Sequence, residues 1–164
     1  MIAFSPPIGI YKQRMSEIDR IDERVLRVLS TDGRISNVDL AERVGLSPSA
    51  CLRRVQALER SGVIAGYRAV IDPAARGTGF TAYVTVGLSS HTKASQEAFE
   101  RAIIRSPEVR ECHNITGSYE YLLRVEAADL AAYKVFHTDV LGVLPQVSSI
   151  TSFVVMGSPK DDRA

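Results

Sequence analysis

Two periodicities divide this chain. Apolar positions recur every three or four residues up to Arg60, whereas strict alternation interleaved with further helical phrases fills the stretch from Phe80 to Met156. In the first part, Ile18, Ile21, Val25 and Val28 or Leu29 form the inner stripe of a helix over 16–32, ended by Asp32-Gly33. Ser36 caps a second helix with Leu40, Ala41 and Val44 on one apolar face, and Gly45 stops it by allowing a left-handed turn. Ser47-Pro48 restarts the helix at once, with serine as cap and proline at the first helical position. This third helix buries Cys51, Val55 and Leu58, so that Ser49, Arg53, Gln56 and Arg60 share the outward face. Small residues first and arginines behind suit a helix laid into a DNA major groove, which makes the pair a helix-turn-helix. Any helical hairpin has caps, a glycine turn and an apolar face, so the downstream sequence matters. VIAGYRAVID reads as two short β segments around Gly66, which completes a winged helix with Arg68 on the wing facing a phosphate.

The second part repeats itself. Phe80, Ala82, Val84, Val86 and Leu88 alternate with Thr81, Tyr83, Thr85 and Gly87, the signature of a half-buried strand. A helix over 94–105 carries Phe99, Ala102 and Ile103, and Pro107 stops it before a strand from Val109. Tyr119 to Glu126 is the next strand; Asp129 caps a helix bearing Leu130, Tyr133, Phe136, Val140 and Leu141, and Pro145 stops it before a strand over 147–156. Helix-Pro-x-Val-strand thus occurs twice. Two βαβ units in series give βαββαβ, a ferredoxin-like four-stranded antiparallel sheet with two helices on one face. The other face stays open, so a partner subunit is expected to cover it. The fold class is α+β, an N-terminal winged helix-turn-helix followed by a ferredoxin-like domain. The expected boundaries are a flexible extension over 1–15, a DNA-binding domain over 16–71, a Pro- and Gly-bearing linker over 72–79, a second domain over 80–157 and a tail over 158–164.

Composition narrows the function. The chain has 164 residues, 45% hydrophobic and 24% charged, with a net charge of only +1. That charge is localised: residues 47–68 hold four arginines against Glu59, while residues 77–164 hold eight Lys/Arg against ten Asp/Glu. One small patch of this kind binds DNA weakly alone, which argues for dimerisation. Two cysteines exclude a disulfide scaffold, and Cys51 reads as a small core hydrophobe. Cys112 and His113 are strand neighbours that point to opposite faces and cannot chelate one metal, and His91 and His137 have no partner at ligand spacing, so no metal or cofactor is expected. No apolar run is long enough to span a membrane, and the first 14 residues lack a signal-peptide pattern, so the expected compartment is the cytoplasm, with Met15 as a candidate start of the folded protein or of translation.

The stretches DRIDERVLRVL, DGRISNVDLAERVGLSPSACLRRVQALERSGVIAGY, VRECHNITGSYEYLLRV and LPQV…FVVM together resemble the Lrp/AsnC (leucine-responsive and asparagine-responsive) transcriptional regulators, over about Ile18 to Met156. The resemblance implies regulators that bind pseudo-palindromic double-stranded DNA operators, respond to amino acids, and assemble as homodimers and often octamers. It maps the helix-turn-helix onto Asn37 to Gln56, with DNA contacts expected from Asn37, Ser47, Pro48, Ser49, Ala50, Leu52, Arg53, Arg54, Gln56 and, on the wing, Arg68. Arg53 is the candidate for a bidentate contact to guanine, and Ser47 and Ser49 for phosphate. Arg54 lies at the edge of the buried stripe, where it either braces the first helix through an acidic residue or reaches a phosphate. The family's effector motif corresponds to Gly117, Ser118, Tyr119, Glu120 and Tyr121, with Leu122 following, in the turn between the second and third strands. Ser118 stands where the family commonly has Asp, and Glu120 is one methylene longer than the usual Asp, which bears on ammonium recognition and on ligand identity.

Two other function classes are disfavoured. An enzyme needs a catalytic pair, and neither His113 nor His137 has a nucleophile or carboxylate at telling spacing. A redox sensor needs an accessible, acidic thiol, whereas Cys51 is expected to be buried and Cys112 is flanked by Glu108 and Glu111.

Overall fold

The computed structural model describes residues 18–72 and 74–161. The expected extension over 1–15, the start of the first helix at Ser16 and the last tail residues lie outside the described residues. The chain divides into two compact units between Ala69 and Val70.

The N-terminal unit holds α1 (Arg20–Thr31), α2 (Asn37–Val44) and α3 (Pro48–Arg60). Within the described residues α1 is capped by Asp19, whose carboxylate accepts from the backbone N–H groups of Ile21 and Asp22, while Asp22 returns a bond to the Asp19 N–H. Two orphan donors at the helix start are satisfied reciprocally, and the acids suit the positive end of the helix dipole. Ser36 and Ser47 cap α2 and α3 through the backbone of Asp39 and Ala50, and Gly45 takes the left-handed conformation at φ 72°. Val25, Leu40, Ala41, Val44, Cys51 and Leu58 form the core of this unit, with Val55 packed at its edge.

One side chain fixes α3 to the start of α1. The Arg54 guanidinium donates to Asp19 Oδ2 and Asp22 Oδ1, each at 2.8 Å. Of the two roles open to Arg54, the structure shows the brace. The hairpin expected after α3 does not form: residues 65–72 carry no strand pairing. The Ile64 N–H bonds back to Leu58 O at 3.1 Å, so the first arm is held to α3 and not to a second strand. The turn is also wrong for a tight hairpin, because Ala65 precedes Gly66 at φ 156°, outside the left-handed region that primed turns use. Tyr67, Val70 and Ile71 are left exposed.

The C-terminal unit runs β1 (Phe80–Leu88), α4 (Lys93–Ile104), β2 (Val109–Asn114), β3 (Tyr121–Ala127), α5 (Leu130–Val135) continuing as a π-helical turn over Phe136–Leu141, and β4 (Val147–Val154). The antiparallel sheet has the order β2-β3-β1-β4. Every second residue of β1 and β3 points into one core with Phe99, Ile103, Tyr133, Phe136 and Leu141 from the helices. The π turn explains how Phe136 and Leu141 are both buried. Five residues at 100° each would rotate a regular helix by about 140°, and the wider i→i+5 turn, closed by Gly142 N–H to His137 O, brings them back to one face. Leu130, expected on that inner face, is 63% exposed because it is the first residue after the Asp129 cap. The strand expected from Tyr119 begins at Tyr121, since Ile115 N–H bonds Glu120 O at 2.8 Å and closes the loop there.

Opposite the helices the sheet is not a bare apolar surface. Arg124 pairs with Glu111 at 2.6 Å and with Glu126, Arg110 reaches Glu126 at 3.4 Å, and His113 lies 3.3 Å from Glu111.

The brace yields a pH prediction. The backbone N–H of Asp22, then the Arg54 guanidinium, holds the Asp19 carboxyl below its ordinary 3.8. A carboxyl with a depressed folded pKa adds stability above its unfolded value and loses it as pH falls through the folded one. Arg54→Met is therefore expected to lower the melting temperature at pH 7, and the gap to the parent protein narrows near pH 3. Equal gaps at both pH values, read by thermal denaturation, would remove the ion pair as the cause.

Candidate DNA-reading helix and effector turn

The outward face of α3 is built as its spacing implies. Ser49, Arg53, Gln56 and Arg60 are all exposed, on a helix whose inner face holds Cys51 and Leu58. Its N-terminus is clamped twice: Ser47 Oγ accepts from Ala50 N–H at 3.3 Å, and Asn37 Nδ2 donates to the Pro48 carbonyl at 2.8 Å across the turn. Asn37 thereby sets the spacing of α2 and α3. Ser47 and Ser49 bring their hydroxyls within 3.3 Å of each other at the helix start. Ala50 is half-buried, whereas Leu52, 46% exposed, is a large apolar side chain beside the polar row. Arg54 is turned away to Asp19 and Asp22. Arg68 follows Tyr67, whose hydroxyl donates to Glu59 at 3.0 Å and ties this segment to α3. Sequence reasoning did not single out Tyr67. The alternation that suggested a strand hid its role as a tether.

The candidate effector turn is held from three directions. Its Glu120 N–H bonds Val86 O at 3.1 Å, and Tyr119 Oη lies 3.3 Å from Thr151 Oγ1. Glu120 itself spans to the end of β1: Oε2 accepts from Leu88 N–H at 2.6 Å and Oε1 faces His91 Nδ1 at 3.1 Å. His91 was outside the expected set, and its sequence distance from Glu120 gives no local signal. Gly117 sits at φ 136° with open space around the position of a Cβ, so backbone conformation, not crowding, demands glycine there. Gly117 and Ser118 are exposed and Tyr119 is half-buried. Tyr121 belongs to the core. Its ring packs 4.5 Å from Phe99, and its hydroxyl, pushed up to about 12 by burial and by donating to Glu100, is committed. Leu122 falls on the opposite sheet face. In the turn, therefore, Gly117 and Ser118 are open to solvent, Tyr119 and Glu120 are half-buried, and Tyr121 supports it from beneath.

Neither thiol has the environment of a sensor. Cys51 is fully buried, and burial raises its pKa. On edge strand β2, Cys112 is pushed up to about 11 by desolvation, helped by the Glu100 carboxylate. No cluster of metal-ligating side chains occurs among the described residues, and no helix among them is long and apolar enough to cross a membrane.

Comparison with known proteins agrees with both halves. Residues 18–65 match the family model of a winged helix-turn-helix DNA-binding domain, and residues 81–164 match the Lrp/AsnC ligand-binding domain. The leucine-responsive regulatory protein of Escherichia coli is 39% identical over 152 residues, covering 93% of both chains. Among solved structures, a transcriptional regulator of Neisseria meningitidis in complex with L-methionine superposes with a TM-score of 0.83 at 36% identity, over 87% of this chain and 92% of that one. A feast or famine regulatory protein of M. tuberculosis complexed with L-methionine gives 0.77 at 30% identity, over 90% and 97%. With a DNA-binding helix-turn-helix in front of a βαββαβ domain, the chain belongs to the Lrp/AsnC family of transcriptional regulators.

Proposed function

We propose that α3 reads a pseudo-palindromic operator with Ser49, Arg53, Gln56 and Arg60, and that an amino acid received at the turn over 117–120 sets the operator affinity. The observation that carries the first half is the exposed polar row on a helix whose start is clamped by Ser47 and Asn37. Rigid presentation matters, because a base contact needs the guanidinium within hydrogen-bond distance of its acceptors. Ser47, Ser49 and the helix N-terminus face phosphate, Pro48 and Ala50 permit close approach, and Leu52 contributes an apolar contact. Arg54 serves the interface indirectly by orienting α3. The L-methionine complexes of the two similar structures support an amino-acid effector, and the exposed backbone of Gly117-Ser118 offers hydrogen-bonding groups for its carboxylate and ammonium.

Assembly belongs to the same proposal. The protein forms a homodimer through the open sheet face, where half-buried Tyr83 and Leu122 and exposed Phe153 flank the ion-pair network, and dimers associate further, up to an octamer. A second subunit completes the turn, which one chain leaves open to solvent. As a regulator acting on DNA, with no catalytic role, the protein works in the cytoplasm.

Two experiments test these roles. Arg53→Ala is expected to cost ~1–3 kcal/mol on the preferred operator and to relax base preference, while Arg68→Ala weakens all sequences alike and flattens the salt dependence. Unchanged affinity and base preference in Arg53→Ala at matched salt would put the reading face elsewhere. For the turn, Gly117→Val places a β-branched residue at φ 136° and is expected to abolish the effector response while leaving ligand-free DNA binding nearly intact. The response lost corresponds to a coupling of ~1–3 kcal/mol, which operator DNA must return as an equal change in effector affinity. Titration of effector at fixed operator decides it: equal shifts in parent and variant would show that the turn takes no part.

A further inference from the structure

We propose that His91 is an internal competitor for the effector's ammonium group, occupying the carboxylate oxygen of Glu120 that an incoming amine must use. This rests on the reading of the turn as the effector site and names the regulation of that site.

Glu120 is the only charged side chain between Ile115 and Leu122. An amino acid bound there has one carboxylate within the turn to meet its ammonium. That carboxylate is not free to rotate, because Oε2 is held by Leu88 N–H at 2.6 Å and the side chain is only 16% exposed. Its second oxygen is thereby aimed in one direction, toward His91 Nδ1 at 3.1 Å. The two partners differ sharply in mobility. The His91 side chain is 75% exposed and sits in the short connection between β1 and α4, so it can swing into solvent at little cost, while Glu120 cannot follow it. An imidazole N–H and an alkylammonium make the same demand on Oε1, a charge-assisted hydrogen bond. The geometry makes His91 a stopper over a fixed acceptor. Only a ligand with a primary amine competes for that oxygen, displacing the imidazole with an ammonium donor, whereas a ligand without one leaves the imidazole in place.

Isothermal titration of the full-length protein decides this, using L-methionine and the other nineteen amino acids, with 4-(methylthio)butanoate as the amine-free control. His91→Ala is expected to tighten the amino acid that binds the parent about 3–10-fold. Glu120→Gln keeps an oxygen for Leu88 N–H but removes the charge, and is expected to weaken the same ligand at least about tenfold. The double variant binds no more tightly than Glu120→Gln alone, because the stopper matters only while the carboxylate is there. The amine-free control responds to neither change. Since His91 lies at the surface, His91→Ala folds normally, and thermal denaturation of each variant confirms it. Unchanged or weaker binding by His91→Ala, with the parent binding an amino acid, overturns the competitor role and leaves the effector site standing. Absence of binding by every amino acid to the parent and to His91→Ala overturns the effector reading itself, and this inference with it.

Discussion

The ligand-sensing half hangs on the end of one strand. β1 lies between β3 and β4, and its inward residues Ala82, Val84, Val86 and Leu88 form the middle of the core. At Gly87 a Cβ would meet Ser149 Oγ, so the Ser149 hydroxyl would have to turn away, and the register against β4 slips between Gly87 and Leu88. On the other side, pairing with β3 ends at Val86–Tyr121, because β3 turns off into the loop over 115–120. Leu88 N–H is thus left past the end of the ladder. The Glu120 carboxylate fills the place of the missing strand carbonyl, and its distance explains the side chain: the acid must reach along the strand, and the extra methylene of glutamate supplies reach that aspartate lacks. The same bond that satisfies a backbone donor fixes an acidic oxygen beside an exposed turn.

The N-terminal unit uses long-range polar contacts in the same way. Its apolar core fixes which faces of α1, α2 and α3 meet but leaves room for sliding along them. Asn37 to Pro48 O pins α2 to the start of α3, and Arg54 to Asp19 and Asp22 pins α3 to the start of α1. Exposed ion pairs contribute little to stability one at a time. A fork that grips two carboxylates, one of them also capping a helix, sets geometry more than it adds energy, and geometry is what a reading helix requires.

What was legible in the sequence follows from the range of the interactions. Caps at Ser36, Ser47 and Asp129 bond backbone three residues on, so they can be read from spacing, as can the alternation of β1 and the exposed row on α3. Thr92, which caps α4 through Ser95 N–H, is equally local, but the apolar face of that helix starts only at Phe99 and leaves its first turn without a pattern. The hairpin over 63–72 failed for the opposite reason: its alternation is real, yet strands need partners, and Ile64 is bonded to Leu58. The π turn escaped because the helix pattern was read at one fixed period. Arg54's partners lie 35 and 32 residues away and Leu88 lies 32 residues from Glu120, separations at which a sequence names candidates but cannot choose among them. The motif at 117–121 was visible through resemblance, whereas the division of labour between exposed Gly117-Ser118 and buried Tyr121 required the sheet.

The brace also changes the electrostatics of DNA recognition. Four arginines stand in residues 47–68, but Arg54 is neutralised by two carboxylates, so it adds little to the positive charge that this stretch presents. Each neutralised phosphate contributes to the salt slope in proportion, so a patch this small releases few counterions and binds weakly at physiological salt. On the proposed pseudo-palindromic operator, two subunits would double that count and lower the entropy cost of the second contact through their linkage. A near-neutral chain can then bind an operator well while holding only weakly to bulk DNA, because non-specific affinity scales with charge and specific affinity also draws on base contacts. With two subunits so placed, any change in their arrangement would alter both halves of that contact at once. On the proposed mode of binding, charge placement on α3 would make operator affinity sensitive to assembly, and through assembly to an effector received at the turn.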